Sequence, residues 1–197
     1  PAMTLFPYTT LFRSAVTPVV DGNNANVKVD AYVTNHDGAI LVARLLNNEG
    51  EEVLTKTSEK LSFDFVIENV HLWDGVEDPY LYTLKLDLVK DGLVLDNKEV
   101  RFGARTFKVT PEGGFYLNGR SYPLRGVSRH QDRKDLGWAL SEKEHKEDME
   151  LIKEVGANTI RLAHYQHSQY FYDLCDEYGM VIWAEIPFIS SFMPNAY

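Results

Sequence analysis

The sequence has little cysteine, no long apolar run and fewer basic than acidic residues. Cys175 is the single cysteine among 197 residues, which excludes an intrachain disulfide. No apolar segment approaches the roughly 20 residues that a membrane-spanning helix needs, so no membrane partner is expected. Lys and Arg number 20 against 29 Asp and Glu, and they form no basic cluster. Because nucleic-acid binding depends on basic contacts to phosphates, no nucleic-acid partner is expected either.

The remaining composition is that of a globular protein, with 44% hydrophobic and 25% charged residues, and the chain is long enough to bury a core. Residues 1–14 differ from the rest of the chain. They lack the basic start, continuous apolar centre and small-residue cleavage site of a secretion signal. They resemble translated adaptor sequence, and we expect a non-native or disordered leader; the alternative is a native edge strand. With no signal peptide visible, we expect a soluble protein, cytoplasmic or periplasmic.

Residues 15–108 have the pattern of β-structure. Three segments alternate apolar and polar residues, the period of a strand with one buried face. Their apolar positions are Val27, Val29, Ala31 and Val33; Leu61, Phe63, Phe65 and Ile67; and Tyr82, Leu84, Leu86 and Leu88. Asn- and Gly-rich turn signals separate the segments. Several short strands in one such region are typical of an immunoglobulin-like β-sandwich.

Residues 109–197 alternate strands with helices. Three short apolar segments predict strands at Tyr122–Val127, Thr159–Leu162 and Met180–Ala184. The third is nearly all apolar, as a strand covered on both faces should be. This order predicts a parallel sheet with crossover helices.

Two helices are predicted between these strands. A capping box of Ser141 and Glu144 opens the first, which ends at Gly156. Its expected apolar face comprises Met149, Ile152 and Val155. The second helix is expected over Ser168–Tyr178, with an apolar face that comprises Phe171, Leu174, Cys175 and Tyr178.

Polar residues concentrate at the carboxyl ends of the predicted strands, where parallel α/β folds place their chemistry. His130 follows the first strand, and Glu185 follows the third. Arg161 lies in the second strand, and His164 follows it. Loop polarity explains any one of these residues equally well. Together, at three strand ends, they could bind hydroxyls and stabilise carboxylates, which suits sugar chemistry.

Other kinds of site are weaker interpretations. His164 and His167 form a His-x-x-His pair that, with His130, could suggest a transition metal. The pair has no Glu between its histidines and no cysteine ligands nearby, so no metal is predicted. Ser128 lacks the Gly-x-Ser-x-Gly elbow of an esterase, and no glycine-rich phosphate loop occurs. No cofactor is predicted.

The longest motifs resemble glycoside hydrolase family 2. They are Leu72–Tyr82, Phe102–Arg105, Leu124–His130, Asn158–Tyr165, Tyr172–Gly179 and Val181–Trp183. They occur in family order and span most of the chain. Within the family, Arg129–Asp132, His164–His167 and Trp183–Pro187 are most similar to bacterial β-galactosidases.

The resemblance implies a multidomain protein, β then α/β. An immunoglobulin-like β-sandwich over residues 15–108 would lead into the first part of a (β/α)8 TIM barrel over residues 109–197. It also implies retaining hydrolysis of terminal β-galactosides by two carboxyl groups about 5–5.5 Å apart. In the family these glutamates follow the fourth and seventh barrel strands. Because a whole barrel takes about 250 residues, we expect both beyond the C-terminus and the fragment inactive alone.

The resemblance also implies roles for five residues. Arg161 would hold the nucleophilic carboxylate and keep it ionised. His130 and His164 would face the sugar and donate hydrogen bonds to its hydroxyls. Asn158 and Glu185 would belong to the same floor of the site. No equally firm role falls on His167, and the family's magnesium motif does not follow Glu185.

Two alternatives stay open. A β-glucuronidase or β-mannosidase of the same family is one, because residues that read a substrate carboxylate would lie later in the barrel. The other is a non-catalytic carbohydrate-binding or interaction module that uses the sandwich surface. The sequence leaves the oligomeric state undetermined.

Overall fold

A computed structural model describes residues 12–34, 36 and 38–187. The chain divides into two compact units. The first comprises the chain up to Trp73 together with Tyr80–Thr106, and the second comprises Asp74–Pro79 and the chain from Phe107 onward. Among the described residues, no helix has the length and apolar character needed to cross a membrane.

The described residues of the first unit form seven strands in two antiparallel sheets. In chain order they are β1 (Phe12–Asp21), β2 (Asn24–Val33), β3 (Ile40–Leu46), β4 (Glu52–Ser58), β5 (Ser62–Ile67), β6 (Tyr82–Lys90) and β7 (Leu93–Phe102). One sheet has the strand order β1-β2-β5, and the other has the order β4-β3-β6-β7. Their buried faces form one hydrophobic core. The predicted alternation is confirmed, since Val27, Val29, Leu84 and Leu86 are fully buried.

The first strand begins earlier than the expected sandwich boundary at Ala15. Phe12 pairs with Val33, and the ladder continues to Asp21 opposite Asn24. Phe12 also packs against the sandwich core. Residues 12–14 are therefore part of a strand, as the edge-strand alternative predicts. The rest of the expected leader, residues 1–11, lies outside the described residues.

The second unit contains a β-hairpin sheet and a parallel α/β segment. Strands β8 (Phe107–Thr110), β9 (Gly114–Leu117) and β10 (Arg120–Ser121) form the antiparallel sheet. They are followed by β11 (Gly126–Arg129), α1 (Glu142–Glu154), β12 (Thr159–Leu162), α2 (Gln169–Tyr178) and β13 (Val181–Ala184). Strands β11, β12 and β13 pair in parallel in that order. The predicted parallel sheet with crossover helices is confirmed.

The first parallel strand lies further along the chain than the predicted Tyr122–Val127. The Tyr122 amide donates to the Phe115 carbonyl, so Tyr122 belongs with the hairpin. Parallel pairing starts where Gly126 meets Thr159. A Cβ at Gly126 would lie 1.9 Å from the Thr159 carbonyl oxygen, so the two strands approach too closely for any side chain there. Ser128 and Arg129 therefore lie inside the strand rather than after it.

Both predicted helices form, with small differences at their ends. The Ser141–Glu144 capping box is present, and Gly156 follows with a positive φ of 75°. The second helix begins at Gln169, with Ser168 as its N-cap residue. Placing Val155 on the apolar face is wrong: it is 72% exposed because the helix ends at Glu154 and Val155 is its C-cap. Met149 and Ile152 are buried against α2 residues.

The third parallel strand is less covered than predicted. Trp183 is 67% exposed, and Ile182 is also solvent-exposed. The prediction that both faces of this strand are covered is therefore wrong for the described residues, 12–34, 36 and 38–187. In that part of the chain β13 is an edge strand with one neighbour, β12.

A short segment from within the sandwich sequence belongs to the second unit. Residues Gly75–Glu77 form a 3-10 turn, and Asp74 accepts a hydrogen bond from Arg120 over 2.8 Å. The Tyr122 hydroxyl accepts from the Val76 amide. These contacts with the hairpin sheet explain why Asp74–Pro79 belongs to the second unit.

Candidate active site

The carboxyl ends of β12 and β13 bring three predicted site residues together. Along β12, Ile160 and Leu162 are fully buried, whereas Arg161 lies on the opposite, exposed face. Parallel register places Ser128 and Trp183 beside Arg161 on that face. Glu185 follows β13 and His164 follows β12, so both lie within reach of the guanidinium. The three residues meet because parallel strands end at a common edge.

Arg161, His164 and Glu185 form a hydrogen-bonded cluster. Arg161 Nε donates to Glu185 Oε1 over 2.6 Å. His164 Nδ1 lies 3.0 Å from Glu185 Oε2 and 3.1 Å from Arg161 Nη2. The hydrogen bond from Arg161 lowers the pKa of Glu185 below its usual value, and the contact with His164 adds to this. Glu185 is therefore a carboxylate at neutral pH.

Nδ1 of His164 lies between two charged groups. The Glu185 carboxylate only accepts hydrogen bonds, whereas the Arg161 guanidinium only donates them. Both groups hold the ring at Nδ1, and within the described residues no hydrogen bond is formed at Nε2.

The second histidine, His130, lies beside the cluster. It directly follows β11, and its ring centroid is 5.2 Å from that of His164 in an edge-to-face arrangement. Tyr165 packs near His130, and its hydroxyl accepts from the Gln131 amide over 3.0 Å. Trp138, 68% exposed, also packs against Tyr165, with 4.9 Å between ring centroids. Both predicted histidines therefore lie at one rim.

Asn158 is not brought to this cluster. It immediately precedes β12, at the amino end of the strand whose carboxyl end carries His164. Its Oδ1 accepts from the Arg125 amide over 2.7 Å, and its Nδ2 donates to the Pro123 carbonyl over 3.0 Å. Asn158 therefore binds the backbone of the segment before β11 and does not lie beside Glu185.

A buried polar cluster that the sequence did not predict lies behind the rim. Arg129, His145 and His167 are each at most 6% exposed. Arg129 binds Asp148 of α1 through Nε and Nη2. One signal was available, because His145 lies four residues before Met149 on the buried stripe of α1. Arg129 carried no such signal, since its burial depends on where β11 starts.

Within residues 12–34, 36 and 38–187, no three His, Cys, Asp or Glu side chains are grouped to hold a metal ion.

Comparison with protein families gives two matches in chain order. The model for "Glycosyl hydrolases family 2" matches residues 11–105. The model for "Glycosyl hydrolases family 2, TIM barrel domain" matches residues 107–197. The chain belongs to glycoside hydrolase family 2. The predicted fold, a sandwich domain followed by the start of a TIM barrel, is confirmed for this family member.

Relatives within family 2 carry two enzyme names. A β-glucuronidase from Bacteroides fragilis is 39% identical over 194 residues, covering 92% of this chain and 27% of that protein. A β-galactosidase from Thermoanaerobacter pseudethanolicus is 30% identical over 175 residues, covering 88% of this chain and 23% of that protein. The chain thus spans about a quarter of the length of the curated relatives it matches.

A solved family 2 structure shares the fold. The FMN-binding β-glucuronidase from Faecalibacterium prausnitzii L2-6 is 41% identical and superposes with a TM-score of 0.88. The match covers 92% of this chain and 29% of that one.

The family fold also explains a groove along the exposed face of the parallel strands. The groove encloses about 810 Å³, and its lining includes Phe115, Leu124 and Val181, with Arg161 as its one charged member among the described residues. The interior of a TIM barrel is filled by packed side chains. The apolar lining of this groove therefore matches the core of a barrel, whereas the polar cluster at its end has the residue types of an active site.

Proposed function

We propose that the protein containing this chain hydrolyses the β-glycosidic bond of a terminal sugar with retention of configuration. The observation that carries the proposal is the Arg161–Glu185–His164 cluster at the carboxyl ends of β12 and β13 in a family 2 chain. Retaining hydrolysis uses one carboxyl group as nucleophile and another as acid and base, about 5–5.5 Å apart. We place both on barrel strands beyond the three described.

Arg161 is the residue that holds the nucleophilic carboxylate in this proposal. Its guanidinium has five N–H donors, and Glu185 and His164 contact only two of its nitrogens. The side chain stays 44% exposed, so a second carboxylate has access to it. The positive charge would keep that carboxylate ionised, the state in which it attacks.

His164 and His130 are the hydroxyl contacts. Glu185 and Arg161 orient His164 through Nδ1, which leaves Nε2 to form a hydrogen bond with a sugar hydroxyl. His130, in ring contact with His164, would contact the same sugar unit.

We place β-glucuronides first among the substrates and β-galactosides second. The relative from B. fragilis, 39% identical, supports the glucuronide. The β-galactosidase relative, 30% identical, supports the galactoside that the motif resemblance predicts. β-Mannosides remain as the family alternative.

Kinetics of the whole protein on nitrophenyl β-glucuronide, β-galactoside and β-mannoside test the proposal. We expect one glycoside to have the highest kcat/KM, and NMR of the first-formed sugar to show the β-anomer. Release of the α-anomer would contradict the retaining mechanism. Hydrolysis of none of the three, by a folded protein, would contradict the assigned reaction.

The sandwich provides a control for the alternative of a binding module. Calorimetry of a variant with His164→Ala separates the two classes of function. A binding module would retain sugar affinity, because its ligand contacts would lie on the first unit. A glycosidase would lose affinity, because His164 contacts the sugar in this proposal and belongs to the second unit.

A further inference from the structure

Behind the rim, Arg129 joins four groups in a buried network. It is the last residue of β11, and its side chain is 5% exposed. Nη2 and Nε donate to Asp148 Oδ2 over 2.7 and 2.9 Å. The guanidinium carbon lies 3.8 Å from the centroid of the Phe171 ring, a cation–π contact between β11 and α2. A buried cation is thereby paired and packed, as burial of a charge requires.

Two histidines complete the network from different elements. Arg129 Nη2 lies 3.0 Å from Nδ1 of His145 on α1. Arg129 Nη1 lies 3.1 Å from Nδ1 of His167, which is in the loop after β12. Since a guanidinium only donates, both Nδ1 atoms must carry lone pairs, and both imidazoles are neutral with a proton on Nε2. Burial, together with the charge of Arg129, lowers the pKa of each histidine, which favours this neutral form.

Of the two histidines, His167 is the one that contacts the loop after β12 in the described part of the chain. Its Nε2–H donates to the Ala163 carbonyl over 3.1 Å. That carbonyl belongs to the peptide group that joins Ala163 to His164. The Ala163 amide in turn donates to the Arg129 carbonyl over 3.0 Å. The Ala163 amide is therefore bound to the Arg129 carbonyl. The Ala163 carbonyl is bound to His167, whose ring is in turn held by the Arg129 side chain.

We propose that His167 is a positioning residue for His164. By holding the peptide group before His164 against Arg129, it places the imidazole of His164 within reach of Glu185 and of a sugar hydroxyl. Asp148 anchors Arg129 to α1, and Arg133 donates to the second oxygen of Asp148 over 2.7 Å. The consequence for catalysis rests on the proposed function, whereas the placement of His164 does not.

His145 supplies the matched control. It is buried to the same degree as His167, 3% against 4% exposed, and accepts from the same guanidinium. Its ring packs against Tyr170 and Phe171 of α2, and within the described ranges no hydrogen bond joins it to the loop of residues 163–168. Both His145→Leu and His167→Leu therefore remove a hydrogen-bond acceptor of Arg129. The contact with Ala163 is lost in His167→Leu but not in His145→Leu.

The first arm of the test is independent of activity. In the ¹⁵N-histidine-labelled chain, ring-nitrogen NMR shifts report the hydrogen bonds of His164. We expect the same His164 shifts in the parent chain and in His145→Leu, and shifts displaced toward those of a solvent-exposed histidine in His167→Leu. His167→Gln should restore the parent spectrum, because an amide can accept from Arg129 and donate to Ala163. An unchanged His164 spectrum in folded His167→Leu would overturn the proposal.

The second arm measures kinetics in the whole protein. We expect His167→Leu to lower kcat by about 10- to 100-fold, because small misplacements of a catalytic group have effects of this size. His145→Leu should lower the melting temperature but leave kcat within about twofold, and His167→Gln should recover most of kcat. Equal losses of kcat in both leucine variants would assign His167 a purely structural role. Absence of turnover in the parent protein would contradict the proposed function alone, and the NMR arm would still decide the placement.

Discussion

Arg161 donates a hydrogen bond from Nε to Glu185 Oε1 over 2.6 Å, which joins two neighbouring parallel strands at their carboxyl ends. The pair is half-exposed, with Arg161 at 44% and Glu185 at 20%. An ion pair of this exposure contributes little to stability, usually below about 1 kcal/mol. Its value to the protein therefore lies in orienting Glu185, and through it His164.

Replacing Arg161 by Ala in the whole protein should slow glycosyl-enzyme formation by about 100-fold or more. The reason is the loss of a positive charge beside the nucleophilic carboxylate. Lysine should restore little, because it offers a point charge where a planar fork is needed. Stopped-flow kinetics on a nitrophenyl glycoside, with the melting temperature measured in parallel, check this.

The ion pair of Arg44 with Asp87 in the sandwich is the control for this prediction. Arg44 is exposed to a similar degree, 42%, and also binds a carboxylate across neighbouring strands. Arg44→Ala should leave turnover unchanged. If Arg161→Ala lowers the melting temperature and spares turnover, as expected of Arg44→Ala, then Arg161 is a structural ion-pair residue.

His164→Ala should lower kcat in the whole protein. A hydrogen bond that strengthens in the transition state appears in kcat, and its loss costs about 2–4 kcal/mol in kcat/KM. His130→Ala should act in the same direction. The double variant should lose less than the sum, because the two rings are in contact at 5.2 Å and bind one ligand.

Steady-state kinetics of the three alanine variants on the preferred aryl glycoside decide this prediction. Folding is verified for each variant by its thermal transition. Parent-like kinetics for both single variants would remove His130 and His164 from the site.

The 197-residue chain, expressed by itself, should show no glycosidase turnover. Glu185 is the carboxylate of the described rim cluster, and its low pKa makes it a poor proton donor. The proposed reaction needs a nucleophile and a separate acid/base carboxyl group, whereas this cluster holds one carboxylate. Incubation of the purified chain with nitrophenyl β-glucuronide and β-galactoside checks this prediction. Activity that still co-purifies with the chain through a second column would contradict it.

Acidification should destabilise the second unit through its buried histidines. Burial lowers the pKa values of folded His145 and His167 below the ordinary 6.5. Above pH 6.5 both are neutral in the folded and unfolded states, and their contribution to stability is fully present. As pH falls below 6.5, the unfolded chain binds protons first, so the free energy of unfolding decreases.

Urea unfolding at about pH 7.5 and pH 5.5 measures this dependence. In His145→Gln the decrease between these two pH values should be smaller, because one of the two groups no longer titrates. The same decrease in variant and parent chain would show that His145 does not contribute.

Periodicity in the sequence determined the elements. Alternation around Val27, Phe63 and Leu84 predicted the strands of the sandwich, because a strand with one buried face repeats every two residues. The capping box at Ser141 and the 3.6-residue apolar period after it predicted α1 for the same kind of local reason. The position of Arg161, His164 and Glu185 at strand ends followed, since parallel strands end at a shared edge.

Tertiary structure decided which polar residues meet. The start of β11 at Gly126 depends on its close approach to Thr159, a residue 33 positions away. That start determines that Arg129 faces α1 and is buried, whereas His130 reaches the rim. Asparagine is common among residues that bind sugars, yet the position of Asn158 before β12 directs its side chain to the backbone of Pro123 and Arg125. Local pattern specifies which face of an element is buried, but contacts such as Arg129–His167 join residues 38 apart and exist only once the strands have packed against their helices.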